Sequence, residues 1–309
     1  MATTSAGTRE DIRARLLGGQ LVVGDGAMGT QAQILDPKAL CPEQLLFTMP
    51  ERIEDIHRRY VEAGAEIILT NTFGGSPHKL ALAHMEGVGA HEVNRRAAEI
   101  ARRAAGEYAL VAGDIGPLGE LVEPLGDISE GEALDNFRQQ IGGLVDGGVD
   151  AIIIETVIDL AELRLAVAAM RELCRLPLIV SMTFDKVVDG YRTMMGTTPE
   201  ETAEAALGLG ADVVGCNCGL GIADHIEIVK RLRAVVSGPI MCQPNAGLPR
   251  LAGGKVVYLE TPESMSAQVP ALVDAGATVI GGCCGTTADY VRLARAAMGL
   301  PPRSMTSSS

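Results

Sequence analysis

Short apolar runs alternate with longer stretches of helical period along most of this chain. Ile67-Ile68-Leu69-Thr70 follows Ala63-Gly64-Ala65-Glu66, and Ala151-Ile152-Ile153-Ile154-Glu155 follows Gly147-Gly148-Val149-Asp150. Val213-Val214-Gly215-Cys216 follows Leu209-Gly210-Ala211-Asp212, and Val279-Ile280-Gly281-Gly282 follows Ala275-Gly276-Ala277-Thr278. Each of these four reads as a helix ended by glycine, a link of one or two residues, and a buried strand. The helical stretches have the right period: Ile53, Ile56, Tyr60 and Val61 fall at i, i+3, i+7 and i+8. Leu21–Gly24, Leu110–Gly113, Leu178–Ser181 and Ile240–Gln243 complete eight runs, roughly 27 to 45 residues apart.

Eight βα units in 309 residues predict a single-domain α/β fold, a (β/α)8 TIM barrel. A doubly wound open sheet is the alternative, but no Gly-x-Gly-x-x-Gly turn follows the first strand. The barrel is expected over residues 11–300, with a flexible N-terminus at 1–10 and a flexible C-terminal tail at 301–309. Residues 31–50 and 117–131, rich in proline, read as long loops, the first a flap over the site.

What ends each run changes the picture more than the run does. The ends carry Asp25-Gly26, Asn71-Thr72-Phe73, Asp114-Ile115-Gly116-Pro117, Glu155-Thr156, Met182-Thr183-Phe184-Asp185, Asn217-Cys218-Gly219, Pro244-Asn245-Ala246-Gly247 and Cys283-Cys284-Gly285. In a barrel the C-terminal strand ends converge on one face, which is where such folds keep their chemistry.

Composition narrows the class. Apolar residues make up 47% of the chain and aromatics 3%, with no tryptophan, so aliphatic side chains must do the packing. A formal charge of −13 without a basic patch argues against nucleic acid and against an anionic membrane surface. No run approaches the ~18 apolar residues of a membrane span. No secretory signal precedes the first strand, and the seven cysteines are odd in number with no C-x-x-C spacing; together these point to a reducing, cytoplasmic compartment.

Zinc favours thiolates, and a site with three protein ligands leaves a position for substrate. Adjacent residues on a regular strand face opposite ways, so Cys283 and Cys284 reach one metal only if the flanking Gly281, Gly282 and Gly285 allow a bulge or turn. From spacing alone the pair plus one partner is either a metal site or two small buried hydrophobes. Cys41, Cys174 and Cys242 read as packing.

Several of these strings together resemble the homocysteine S-methyltransferase family. They are Asp25-Gly26-Ala27-Met28-Gly29-Thr30, Thr70-Asn71-Thr72-Phe73, the stretch from Gly113 to Pro117, Ile154-Glu155-Thr156, the stretch from Gly215 to Gly219, the stretch from Pro244 to Pro249, and Gly281-Gly282-Cys283-Cys284-Gly285-Thr286. The first and sixth are most similar to the homocysteine-binding module of cobalamin-dependent methionine synthase. The resemblance implies a zinc held by Cys218, Cys283 and Cys284, with Asn245 as a labile oxygen ligand before substrate arrives. It implies a substrate site at Asp25, Gly26, Ala27, Asn71 and Glu155, the two carboxylates near the substrate's amino group. Cys216 matches no ligand and reads as packing, although on a regular strand it shares a face with Cys218 and could be exchanged for it.

The implied activity is methyl transfer to homocysteine, or a related small thiol, held as a zinc thiolate, to give methionine. Only a thiolate attacks a methyl group, and zinc deprotonates a coordinating thiol, so no protein acid or base is needed. Neither a folate-binding barrel nor a cobalamin-binding domain is expected in this stretch. The methyl donor is then a small molecule or a methyl-corrinoid protein, with cobalamin entering only through such a partner. Two other readings fit the same residues: a corrinoid-linked methyltransferase acting on another thiol or methylated compound, and a vicinal-dithiol redox or binding barrel. An aldolase-like barrel would need a strand-end lysine, which none of the eight ends supplies.

Overall fold

In a computed structural model, which describes residues 8–303 apart from residue 86 and residues 253–254, the eight runs form one parallel sheet. We label its strands β1 (Val22–Val23), β2 (Ile67–Leu69), β3 (Leu110–Ile115), β4 (Ala151–Val157), β5 (Leu178–Met182), β6 (Val213–Gly221), β7 (Ile240–Asn245) and β8 (Val279–Ile280). The order around the sheet is β1-β8-β7-β6-β5-β4-β3-β2, and a bridge from Gly24 to Ile67 closes β1 against β2. The fold is the expected TIM barrel. The seam between β1 and β8 is tight: a Cβ added at Gly24 would lie 2.9 Å from the Cα of Gly281.

Strand alternation divides the core in two. Leu110 and Ala112, Ala151 and Ile153, Ile67 and Leu69 belong to a cluster inside the barrel. The residues between them, such as Val111, Ile152 and Ile68, join a second cluster shared with the surrounding helices. The helix Pro50–Ala63 shows how that outer layer is built. Proline sits in its first turn, Ile53, Ile56, Tyr60 and Val61 are buried on one face, and Gly64 ends it at φ 110° in the left-handed region.

The N-terminal end of the barrel is plugged. The helix Arg9–Leu17 sends Ile12 and Leu16 into the inner cluster. Behind it, buried Glu66 accepts from Arg15 at 2.7 Å and from the Val23 amide at 3.2 Å. Thr8 caps this helix with a reciprocal Asp11 capping box, so residues 8–10, read from sequence as flexible, already carry ordered structure. At the same end of the barrel, from the other end of the chain, Arg303 donates to the carbonyls of Ala65 and Tyr108. The rest of both expected flexible ends, residues 1–7 and 304–309, lies outside the described residues.

Two differences from the sequence reading concern the loops. Residues 31–50 are not a plain loop: they contain most of the helix Gly29–Leu35, a 3-10 turn at Pro42–Gln44 and the helix Leu45–Thr48. Two antiparallel hairpins also stand outside the barrel, Asp185–Val187 with Gly190–Arg192 and Arg250–Ala252 with Lys255–Val257. Among the described residues no helix is long and apolar enough to cross a membrane.

Candidate functional site

The inner face of the barrel changes character two residues beyond its apolar layer. Leu69 leads to Asn71, Ala112 to Asp114, Ile153 to Glu155, Ile179 to Ser181, and Met241 to Gln243; every one of these polar residues is buried. The alternation that built the core therefore builds a polar layer above it. Above that layer lies a cavity of about 610 Å³, lined by Asp25, Asn71, Asp114, Glu155, Gln243 and all three expected cysteines, among others.

The cysteines reach it by two departures from regular strand geometry. Cys216 faces the helices, fully buried, with its sulfur 3.9 Å from that of Cys242. On a regular strand Cys218 would follow it outward. Instead Cys218 sits at φ 59°, beside a register shift between β6 and β7, and turns into the cavity. The two do not share a face, which removes Cys216 as an exchangeable ligand and leaves it as packing. Beyond β8 the chain leaves strand geometry at Gly281. The Cys283 amide donates to Pro244, the Ala246 amide to Cys284, and the Thr286 amide and hydroxyl both donate to the Cys283 carbonyl, closing a turn. In that turn Cys283 and Cys284 both line the cavity.

The result is a cluster. The sulfurs of Cys218, Cys283 and Cys284 all lie within 4.8 Å of one another, with 4.0 Å from Cys284 to each of the others. Among the described residues this is the one group of three or more metal-ligating side chains, and it could hold a metal ion. Thiol hydrogen bonds from Cys218 and Cys283, joined by one from Tyr258, hold Cys284 well below the usual thiol range. Hydrogen bonds with Cys218 and then Cys284, together with burial, push Cys283 up. Tyr258, which sequence reasoning missed, packs its ring so closely on Gly285 that a Cβ there would meet it at 2.4 Å.

Across the cavity, Glu155 precedes a second left-handed residue, Thr156 at φ 59°, where β4 also shifts register. A β-branched residue is rare in this region and costs roughly 1–3 kcal/mol, so something must hold it. That something is Asn217, the neighbour of Cys218. Its Oδ1 accepts from the Thr156 amide at 3.1 Å and from the Ser181 hydroxyl at 2.8 Å, and its Nδ2 donates to the Thr156 hydroxyl at 2.7 Å. Its carbonyl accepts from Thr183 at 2.9 Å. One side chain thus ties the cysteine wall to the glutamate wall.

The other expected site residues are placed as follows. Asp25 lines the cavity and accepts from the Leu69 amide at 2.8 Å. Burial pushes its carboxyl up to about 8 against that bond. Glu155 is also pushed up to about 8, by burial first and then by Cys218 and Asp25. Gly26 and Ala27 line the cavity, but the Ala27 amide is already donated to Thr286 at 3.1 Å. Asn71 donates to the Pro42 carbonyl at 2.9 Å, fastening the segment after the first strand to the cavity wall. Asn245 is buried at the end of β7 with its Oδ1 lacking a hydrogen-bond partner, so it does not close a turn on its own backbone.

The profile of the homocysteine S-methyltransferase family matches residues 22–298. Methionine synthase from Mycobacterium leprae is 34% identical over 305 residues, spanning 90% of this chain and 24% of that protein. Methionine synthase from Mycobacterium tuberculosis is 32% identical over 305 residues, spanning 92% and 25%. The chain thus spans about a quarter of the length of these relatives. The metallated form of the homocysteine methyltransferase MmuM from Escherichia coli has the same fold, with a TM-score of 0.76 at 22% identity over 92% of this chain and 99% of that one. With the profile running from the first strand to the last helix, this chain belongs to the homocysteine S-methyltransferase family.

Proposed function

We propose that this chain is a zinc-dependent thiol S-methyltransferase that methylates homocysteine to give methionine. The observation that carries the reading is the trio of cysteine sulfurs in a cavity whose opposite wall is acidic. Four sulfurs around zinc at 2.3 Å stand about 3.8 Å apart in a tetrahedron. The 4.0 Å separations here are close to that, so the residues fit the ion.

Cys218, Cys283 and Cys284 would hold zinc, and Asn245, with its unpartnered oxygen, is a candidate fourth ligand before substrate binds. Zinc, when bound, would keep a substrate thiol ionised and nucleophilic at neutral pH. The three cysteinates bring a formal charge of −3, which leaves the site electron-rich. Asp25 and Glu155 would receive the ammonium group of the thiol substrate, with Gly26, Ala27 and Asn71 shaping the wall around it. The cavity, at about 610 Å³, has room for a small amino acid together with the methyl-bearing part of a donor. That donor is a small methylated molecule or the methyl-corrinoid of a partner protein.

Elemental analysis is expected to give one zinc per chain, lost in Cys218→Ala. Incubating the zinc protein with homocysteine and S-methylmethionine, betaine or a methyl-corrinoid protein should yield methionine by mass spectrometry in at least one arm. Absence of zinc together with a reducible 283–284 disulfide would instead favour a redox barrel.

A further inference from the structure

Asp114, at the end of β3, stands outside the ligand and substrate residues that the resemblance implies. In the structure everything about it except its carboxyl is fastened. Its amide donates to Thr70 Oγ1 at 2.9 Å, and its carbonyl accepts from Thr72 Oγ1 at 2.7 Å and from Gln140 Nε2 at 3.4 Å. Asp114 lines the cavity; the residue is 5% exposed, and its buried Oδ1 has no hydrogen-bond partner among the described residues.

The surroundings make this arrangement costly. The charged groups acting on Asp114 are Glu155, Asp25 and Glu43, carboxyls every one. Lys79 also lines the cavity, but its charge acts on Glu43 and Glu162 and is not among those acting on Asp114. Gln243, from β7, adds a second kind of acceptor: it is buried, lines the same cavity and leaves Oε1 without a partner. A buried acid among acids is unfavourable unless a cation joins it. A rigid backbone that holds such a group toward a cavity is how a binding site is preorganised.

An ammonium group carries three N–H donors and, away from water, needs three acceptors. Asp25 and Glu155 supply two sides of the wall. We propose that Asp114 is a substrate-binding residue, the third acceptor for the ammonium of an amino-acid thiol, and that it selects such thiols over simple ones. This rests on the reading of the cavity as a thiol site.

The test compares homocysteine with 4-mercaptobutanoate, the same chain without its amine, by calorimetric titration of zinc-loaded wild type and Asp114→Asn. Loss of one charge-assisted hydrogen bond in a buried site is expected to weaken homocysteine about 10- to 100-fold. The affinity for 4-mercaptobutanoate should stay within about twofold, as in a double-mutant cycle that removes both partners of one contact. Zinc content should be unchanged. Without ligand, Asp114→Asn should melt no lower than wild type, whereas a purely structural Asp114 predicts a lower melting temperature. Asp114→Ser should rank the two thiols in the same way. Equal weakening of both thiols, or of neither, overturns the proposal. If wild type binds neither thiol, the thiol reading of the cavity falls and takes this one with it, an outcome distinct from failure at Asp114 alone.

Discussion

Thr156 and Cys218 occupy the left-handed region, and between them Asn217 satisfies the amide and hydroxyl of one while adjoining the other. Replacing Asn217 by alanine would strand the half-buried Thr156 amide and the fully buried Ser181 hydroxyl. A destabilisation on the order of 2–4 kcal/mol is expected in chemical denaturation, since each orphaned group costs about 1–3 kcal/mol. The same change frees Cys218, so zinc competition with a chelator should show weaker metal binding; unchanged zinc affinity would mean that the cysteine wall is held elsewhere. None of this geometry is legible in Glu155-Thr156 or Asn217-Cys218 as strings, because strand alternation predicts an outward Cys218. Asp114 was more accessible. Leu110, Ala112 and Asp114 lie on one inner column, and following that column two residues past the core would have marked it.

At the scale of elements, the apolar runs named all eight strands because a strand buried on both faces leaves an unbroken hydrophobic signature. The two hairpins left no such trace. The first is largely exposed, so no buried face imposes a period on its residues. The short helices after β1 were masked by prolines, two of which, Pro42 and Pro50, sit in first turns, where the missing amide costs nothing. The barrel seam supplies a prediction of its own. Gly24→Ala would drive a methyl to 2.9 Å from the Gly281 Cα, backbone against backbone, with no flexible side chain to yield. The variant should be destabilised by several times the ~1 kcal/mol of a typical substitution. It should also lose zinc, because Gly281 leads directly into Cys283. A variant as stable as wild type would show that the seam can open without disturbing the site.

Over the whole molecule, buried acid groups tie stability to pH. Glu162 accepts from the Leu118 amide at 2.6 Å, yet burial pushes its carboxyl up from 4.5 to about 7. The folded chain therefore binds more protons there than the unfolded chain. The resulting stability is complete below about 4.5 and is lost as pH rises through 7. Glu162→Gln keeps the amide's acceptor and removes the titration. Between pH 5 and 7.5 its unfolding free energy should fall less than that of wild type, by about 3 kcal/mol at most. Parallel curves for the two proteins would contradict this.

The plugged end of the barrel has a practical consequence. Arg9 opens the helix that seals that end, and Arg303 is fastened to the carbonyls that precede β2 and β3, so both ends of the described chain emerge opposite the cavity. A sensor chip or bead that grips the described chain beside Arg9 or Arg303 would turn the mouth toward the bulk solution. Thiol capture by such an oriented monolayer should match that of the free protein, whereas random lysine coupling would leave part of the layer facing the support.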